Sequence, residues 1–232
     1  MSDSLHQQLA LMQLADSFFP SGAYTLSHGL ESLVQSGVVS KAEEVEDFLR
    51  LLLCNKIGPM DLVAIAHTYR ASQKSEIETI CNIDARLFAQ TPTEKTRITQ
   101  RQSGRALLMV AGKTWPDLTL KKMSERTANG EINCLHPIIF AVVGHIAGLS
   151  EQSTIVAFIH GFVTGLLGAA IRLGAIGHLE AQQVRLNLTQ NMVTVCTESR
   201  QIQRLDDMWT CTPLLDLAQM KQAKLSRRLF AS

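Results

Sequence analysis

The sequence predicts an all-α protein, a single-domain bundle of roughly eight to ten helices arranged around a central small-residue helix. Three observations carry this. Apolar residues recur at helical spacing along nearly the whole chain. No convincing period-two segment appears, apart from an ambiguous stretch at residues 192–196. Residues that start and stop helices separate the periodic runs.

Leu26, Leu30, Leu33 and Val34 fall on one face, and Gly37 follows as a C-terminal cap. Ser40 and Glu43 have the spacing of a capping box ahead of Val45, Phe48, Leu49 and Leu52. Pro59 suits the first turn of a helix running towards Arg70. Ile77, Ile80, Cys81, Asp84, Leu87 and Phe88 form a stripe that Thr91-Pro92 closes. A polar helix then begins near Thr93, carries Glu94, Lys95, Arg97, Arg101 and Arg105, and ends at Trp115-Pro116. Residues 117–130 read as a connector.

Pro137 and Ser150 open two mostly uncharged helices, and Thr212-Pro213 opens a last one with Leu214, Leu217, Ala218 and Leu225. Residues 152–171 contain no Asp, Glu, Lys or Arg, a run long enough to cross a bilayer. The glycines, Thr164, His160 and the absence of flanking basic bias favour a buried central helix instead. Ala157, Gly161, Gly165 and Ala169, four apart, predict a groove where another backbone approaches closely, so that Gly165→Leu would overpack it.

The chain has 232 residues, 46% hydrophobic and 19% charged, enough for one sizeable core. Lys and Arg number 22 against 21 Asp and Glu, so no net field draws it to nucleic acid or an anionic membrane. Five scattered cysteines suit reduced thiols, and with no visible secretory signal they point to a cytoplasmic protein.

Chemistry is sparse. Gly112-Lys113-Thr114 looks like the end of a phosphate-binding loop, but Leu107 stands where the earlier glycine belongs. Trp115-Pro116 breaks the chain where a helix should begin, so a helix C-terminus is the simpler reading. Cys134 and His136 are weak metal candidates, two residues apart without further ligands nearby. Ser21 has no assignable base, and the pairs Glu43-Glu44 and Asp206-Asp207 read as a helix N-terminus and a solvated turn.

The punctuation itself resembles a known family. The Pro20-Ser21-Gly22 turn leading into Tyr24, then Ser27, Gly29, Leu30 and Glu31, resembles the N-terminal signature of the UreF family of urease accessory proteins. Further matches are Gly104 with Leu107-Leu108, His136-Pro137 with Phe140, the run from Ala169 through Arg172 to Leu173, and Gly177 with Gln182. Pro213 with the residues after it and Arg228, Leu229 and Phe230 complete the pattern. Ala141, His178, Gln222-Ala223 and Arg227 depart from it.

The resemblance implies a non-enzymatic, all-helical homodimer that binds UreD (also called UreH), recruits the GTPase UreG, and helps deliver nickel to apo-urease through an internal passage. It implies no tightly bound cofactor. It also implies a partner-binding tail at residues 221–232. Tyr24, Glu31, Arg172, Arg228 and Phe230 are the expected partner-binding residues, being polar or aromatic positions inside family motifs. A small helical hydrolase or NTPase, or a membrane-attached component, is the alternative.

Overall fold

In a computed structural model, which describes residues 5–16, 19, 27–222, 229 and 230, the chain is all-α. Helix α1 (Leu5–Ala15) lies along α9 (Glu151–Arg172), and the short α2 (Leu30–Gln35) follows a turn at His28 and Gly29. Gly37, at φ +73°, ends that segment as expected. Leu26 and Leu225, assigned to the flanking helices, lie outside the described residues.

Helix α3 (Ala42–Leu52) buries Val45, Phe48, Leu49 and Leu52, the face its periodicity predicts. Its cap differs. Glu44, not Glu43, reaches back to accept from the Ser40 amide at 2.7 Å and hydroxyl at 3.1 Å, and the helix starts one residue later than a Ser40 cap would place it. A π-helix (Leu53–Leu62) then joins α3 to α4 (Val63–Gln73) without a break. Pro59 therefore sits inside a continuous rod instead of opening one. The wider π register accommodates the proline, and the carbonyl of Asn55, four residues earlier, accepts from the Cys211 amide at 2.9 Å.

Helices α5 (Ile77–Gln90) and α6 (Glu94–Thr114) follow, α6 capped by Thr93, whose hydroxyl accepts from the Thr96 amide at 3.2 Å. The segment expected as a connector is largely helical. It forms α7 (Leu118–Ala128), capped by Asp117 and tethered by only two buried side chains, Leu120 and Met123, which is too sparse a stripe to read as periodic. Helix α8 (His136–Ile146) has Pro137 in its first turn and is buried at every residue from 137 to 144. Helices α10 (His178–Asn187) and α11 (Thr189–Gln201) follow α9; α11 includes the ambiguous residues 192–196, whose every-other-residue pattern yields to helix. A 3₁₀ turn (Leu205–Asp207) precedes α12 (Pro213–Gln222).

The core is one contiguous apolar cluster drawing on nearly every helix. Helix α9 packs against α1, α2, α3, α4, α8, α10 and α11, so its long uncharged run serves the interior, with 56% of its most apolar window buried. The enclosed helix at the centre, however, is α8. The predicted close approach along α9 is also absent among the described residues: Ala157 and Ala169 are buried, but no described atom lies within 4 Å of a Cβ added to Gly161 or Gly165. The close approach occurs elsewhere. A Cβ on Gly104 of α6 would overlap the Cys134 carbonyl, and one on Gly144 of α8 would meet Thr154 of α9.

Candidate functional site

Three of the five expected partner-binding residues converge. Glu31, in the first turn of α2, is fully buried, and its carboxylate accepts from the backbone amides of Leu229 at 2.6 Å and Phe230 at 3.3 Å. The Phe230 ring is buried beneath the guanidinium of Arg172, 4.5 Å from centroid to Cζ. Arg172 closes α9, where it also donates from Nε to the Gly168 carbonyl at 3.2 Å and complements the negative end of the helix dipole. Start of α2, end of α9 and C-terminal tail thus meet in one latch, held by charge-assisted hydrogen bonds and a cation–π contact. Tyr24 and Arg228 lie outside the described residues.

Helix α12 seats the chain that leads to this latch. A Cβ on Gly29, whose φ of +91° already demands glycine, would come within 3.1–3.3 Å of Gln219 and Ala218. Gln219 Oε1 accepts from the hydroxyls of Thr93 at 3.2 Å and Thr96 at 2.5 Å, and its Nε2 donates to the His28 carbonyl at 3.4 Å. The outward face of α12 is apolar, with Leu214, Leu217 and Met220 all exposed. His28, at φ +51°, packs edge-on against Phe162 of α9 with centroids 5.1 Å apart. Burial, then the nearby Lys56 and His136, pull its imidazole down to about 3, so it is neutral.

Beneath these elements lie groups that the sequence did not single out. Lys56 and Asp61, both on the π-helix, are buried; Asp61 accepts from Gln100 Nε2 at 3.3 Å. The Lys56 ammonium, Asp61 Oδ2, Gln100 Oε1 and Asp216 Oδ1 have no hydrogen-bond partner among the described residues. Burial raises Asp61 to about 6, against the lowering effect of Lys56. A lone lysine between Leu51 and Ile57 was the available signal.

Cys134 and His136 are structural neighbours of α6. Cys134 takes φ +64° so that Asp84 can accept from the amides on either side, Asn133 at 2.7 Å and Leu135 at 2.9 Å. Burial pushes its thiol up to about 11, leaving no thiolate near neutrality. The His136 ring packs near Phe140 and Phe158, lowered to about 4 by burial. Among the described residues no three His, Cys, Asp or Glu side chains come together as a metal site. Gly112-Lys113-Thr114 forms the last turn of α6, a helix C-terminus and not the start that phosphate binding needs.

A second surface feature is a groove of about 550 Å³ between α9, α10 and α11, lined by Val156, Ile159, His160, Leu186, Met192 and Val193. Val156, Leu186 and Val193 are exposed there.

The UreF family matches residues 39–189. A urease accessory protein UreF from Trichodesmium erythraeum is 49% identical over 232 residues, covering the whole of both chains. The chain belongs to the UreF family. Other UreF relatives are more distant, at 27% identity over 227 residues in Nostoc sp. PCC 7120, covering 98% of this chain and 96% of the relative. The relative from Bacillus sp. TB-90 is 24% identical over 228 residues, covering 98% and 100%. UreF membership supports a role in urease maturation, and these relatives are named as accessory proteins, not as the urease itself.

Proposed function

We propose that this chain is a cytoplasmic, non-catalytic scaffold that binds a UreD/UreH-type accessory protein and then recruits a UreG-type GTPase for nickel insertion into apo-urease. The observation that carries the reading is the latch. Glu31 and Arg172 are joined by Phe230, so a partner that engages the tail also addresses the ends of two core helices. The exposed Leu214, Leu217 and Met220 beside it offer apolar area for the same contact. Tyr24 and Arg228, members of the same motifs, complete the proposed surface together with the tail at residues 221–232. Nickel is cargo in this scheme, and GTP hydrolysis belongs to the partner. The groove between α9, α10 and α11, with Val156, Leu186 and Val193 exposed, is the proposed seat of a second copy in the homodimer.

Co-expression of the tagged chain with the UreD- and UreG-type proteins of its source, followed by mass measurement of what elutes, tests the scaffold. A complex holding both partners is expected. A folded chain that elutes alone, with nickel and GTP present, overturns the reading.

A further inference from the structure

Helix α6 carries five basic residues and no acidic one between Lys95 and Lys113, in a chain whose net charge is only +1. The charge faces outward. Arg105 is exposed and Arg101 half-exposed, one helical turn apart, and they are flanked along the same side by Ile98 and Met109, 43% and 61% exposed.

Arginines elsewhere are engaged. Arg50, Arg70, Arg86, Arg126, Arg200 and Arg204 form ion pairs with carboxylates. Arg97 donates to the Thr91 carbonyl, Arg172 stacks on Phe230, and Arg185 meets His160. Arg101 and Arg105 alone among the described arginines have no such partner. Asp84, the carboxyl that Arg101 helps to lower, is buried and already occupied by two backbone amides. Two guanidiniums at this spacing, between exposed apolar side chains, match a helix or extended segment bearing carboxylates a turn apart and an apolar residue at each end.

We propose that the outer face of α6 from Ile98 to Met109 is a docking surface for an acidic, amphipathic protein segment. The narrow stripe and its apolar flanks favour protein over nucleic acid, which would want a broader basic field. Only the choice of partner sequences rests on the scaffold reading above.

The test is an array of short overlapping peptides covering the UreD-, UreG- and urease-subunit sequences of the same source, probed with the labelled full chain. Duplex DNA, and phosphatidylcholine vesicles with and without phosphatidylserine, serve as competing probes. Binding to acidic peptides is expected, weakening with salt and falling about tenfold or more in Arg101→Glu/Arg105→Glu. Lys121→Glu/Lys122→Glu on α7 is expected to bind as the wild type does, and circular dichroism checks that both variants fold. Absence of peptide binding, equal binding by the Arg101/Arg105 variant, or its loss of DNA or vesicle binding instead, overturns the proposal. Array failure alongside an intact co-purified complex removes this surface and leaves the scaffold standing.

Discussion

Asp84 and Asp61 are both buried, and burial raises the carboxyl of each, yet they sit in opposite kinds of interior. Asp84 collects two backbone amides and holds the strained Cys134 turn against Gly104 of α6. Asp61 accepts from one side-chain amide and has an oxygen left over, beside an ammonium with no hydrogen-bond partner among the described residues. Satisfied polar groups define a single arrangement, whereas unsatisfied ones cost little to rearrange and gain from any new partner. The middle of α6 is therefore rigid, and its N-terminal end, where α12 and the latch begin, is the adaptable side.

The sharpest way to break this contrast is Gly104→Ala. The added methyl overlaps the Cys134 carbonyl, backbone that cannot step aside, and a loss of about 3 kcal/mol or more is expected in urea denaturation. Next comes Asp84→Ala, which orphans the amides of Asn133 and Leu135 and is expected to lose about 1–3 kcal/mol for each. Near-wild-type stability in either variant would make the junction as adaptable as the other end.

On the loose side, Phe230→Ala removes a buried ring at the end of the chain and is expected to cost about 3 kcal/mol, the low end for a buried phenylalanine, while partner capture in the co-expression assay falls severalfold. A stability loss without loss of capture would reassign the latch to folding. Asp61 separates the two interiors by pH. Its folded value near 6, above its ordinary 3.8, means it favours the folded state at acid pH, and that contribution disappears as pH rises through 6. His28 and His136, held low, act in the opposite sense as pH falls, so the informative quantity is a difference. The melting midpoint of Asp61→Asn minus that of wild type should grow between about pH 4 and 7; a flat difference would show Asp61 to be solvated. Smallest is Gly112→Ala, eight residues along α6 from Gly104 with no described atom near its added methyl, expected to gain about 0.5–1 kcal/mol.

Much of this was legible in the residues, wherever one physical rule acted alone. The apolar stripe of α3, the Thr93 and Ser150 caps and Pro137 in the first turn of α8 all appear where local chemistry puts them. Helix α7 escaped because two buried side chains make no period, and the glycine faces were misjudged because spacing cannot say which small residues meet a neighbour. The latch joins residues nearly 200 positions apart, and no local pattern relates Glu31 to Phe230; only the family motifs brought Glu31, Arg172 and Phe230 forward. Lys56 and Asp61 lay hidden in an apolar helix whose π register no periodicity announces.

That register has a consequence for the C-terminal third of the chain. Pro59 cannot offer an N–H to the carbonyls one turn back, and the Asn55 carbonyl is taken by Cys211 while Pro59's own is taken by Trp209 at 3.1 Å. The helix works as a cleat on which a distant strand of backbone is tied without any β-sheet. Pro59→Ala would return a competing donor to the rod, and slack in residues 209–211 would pass directly into α12. A proline far from the latch in sequence thus sets the tension of the line that ends there.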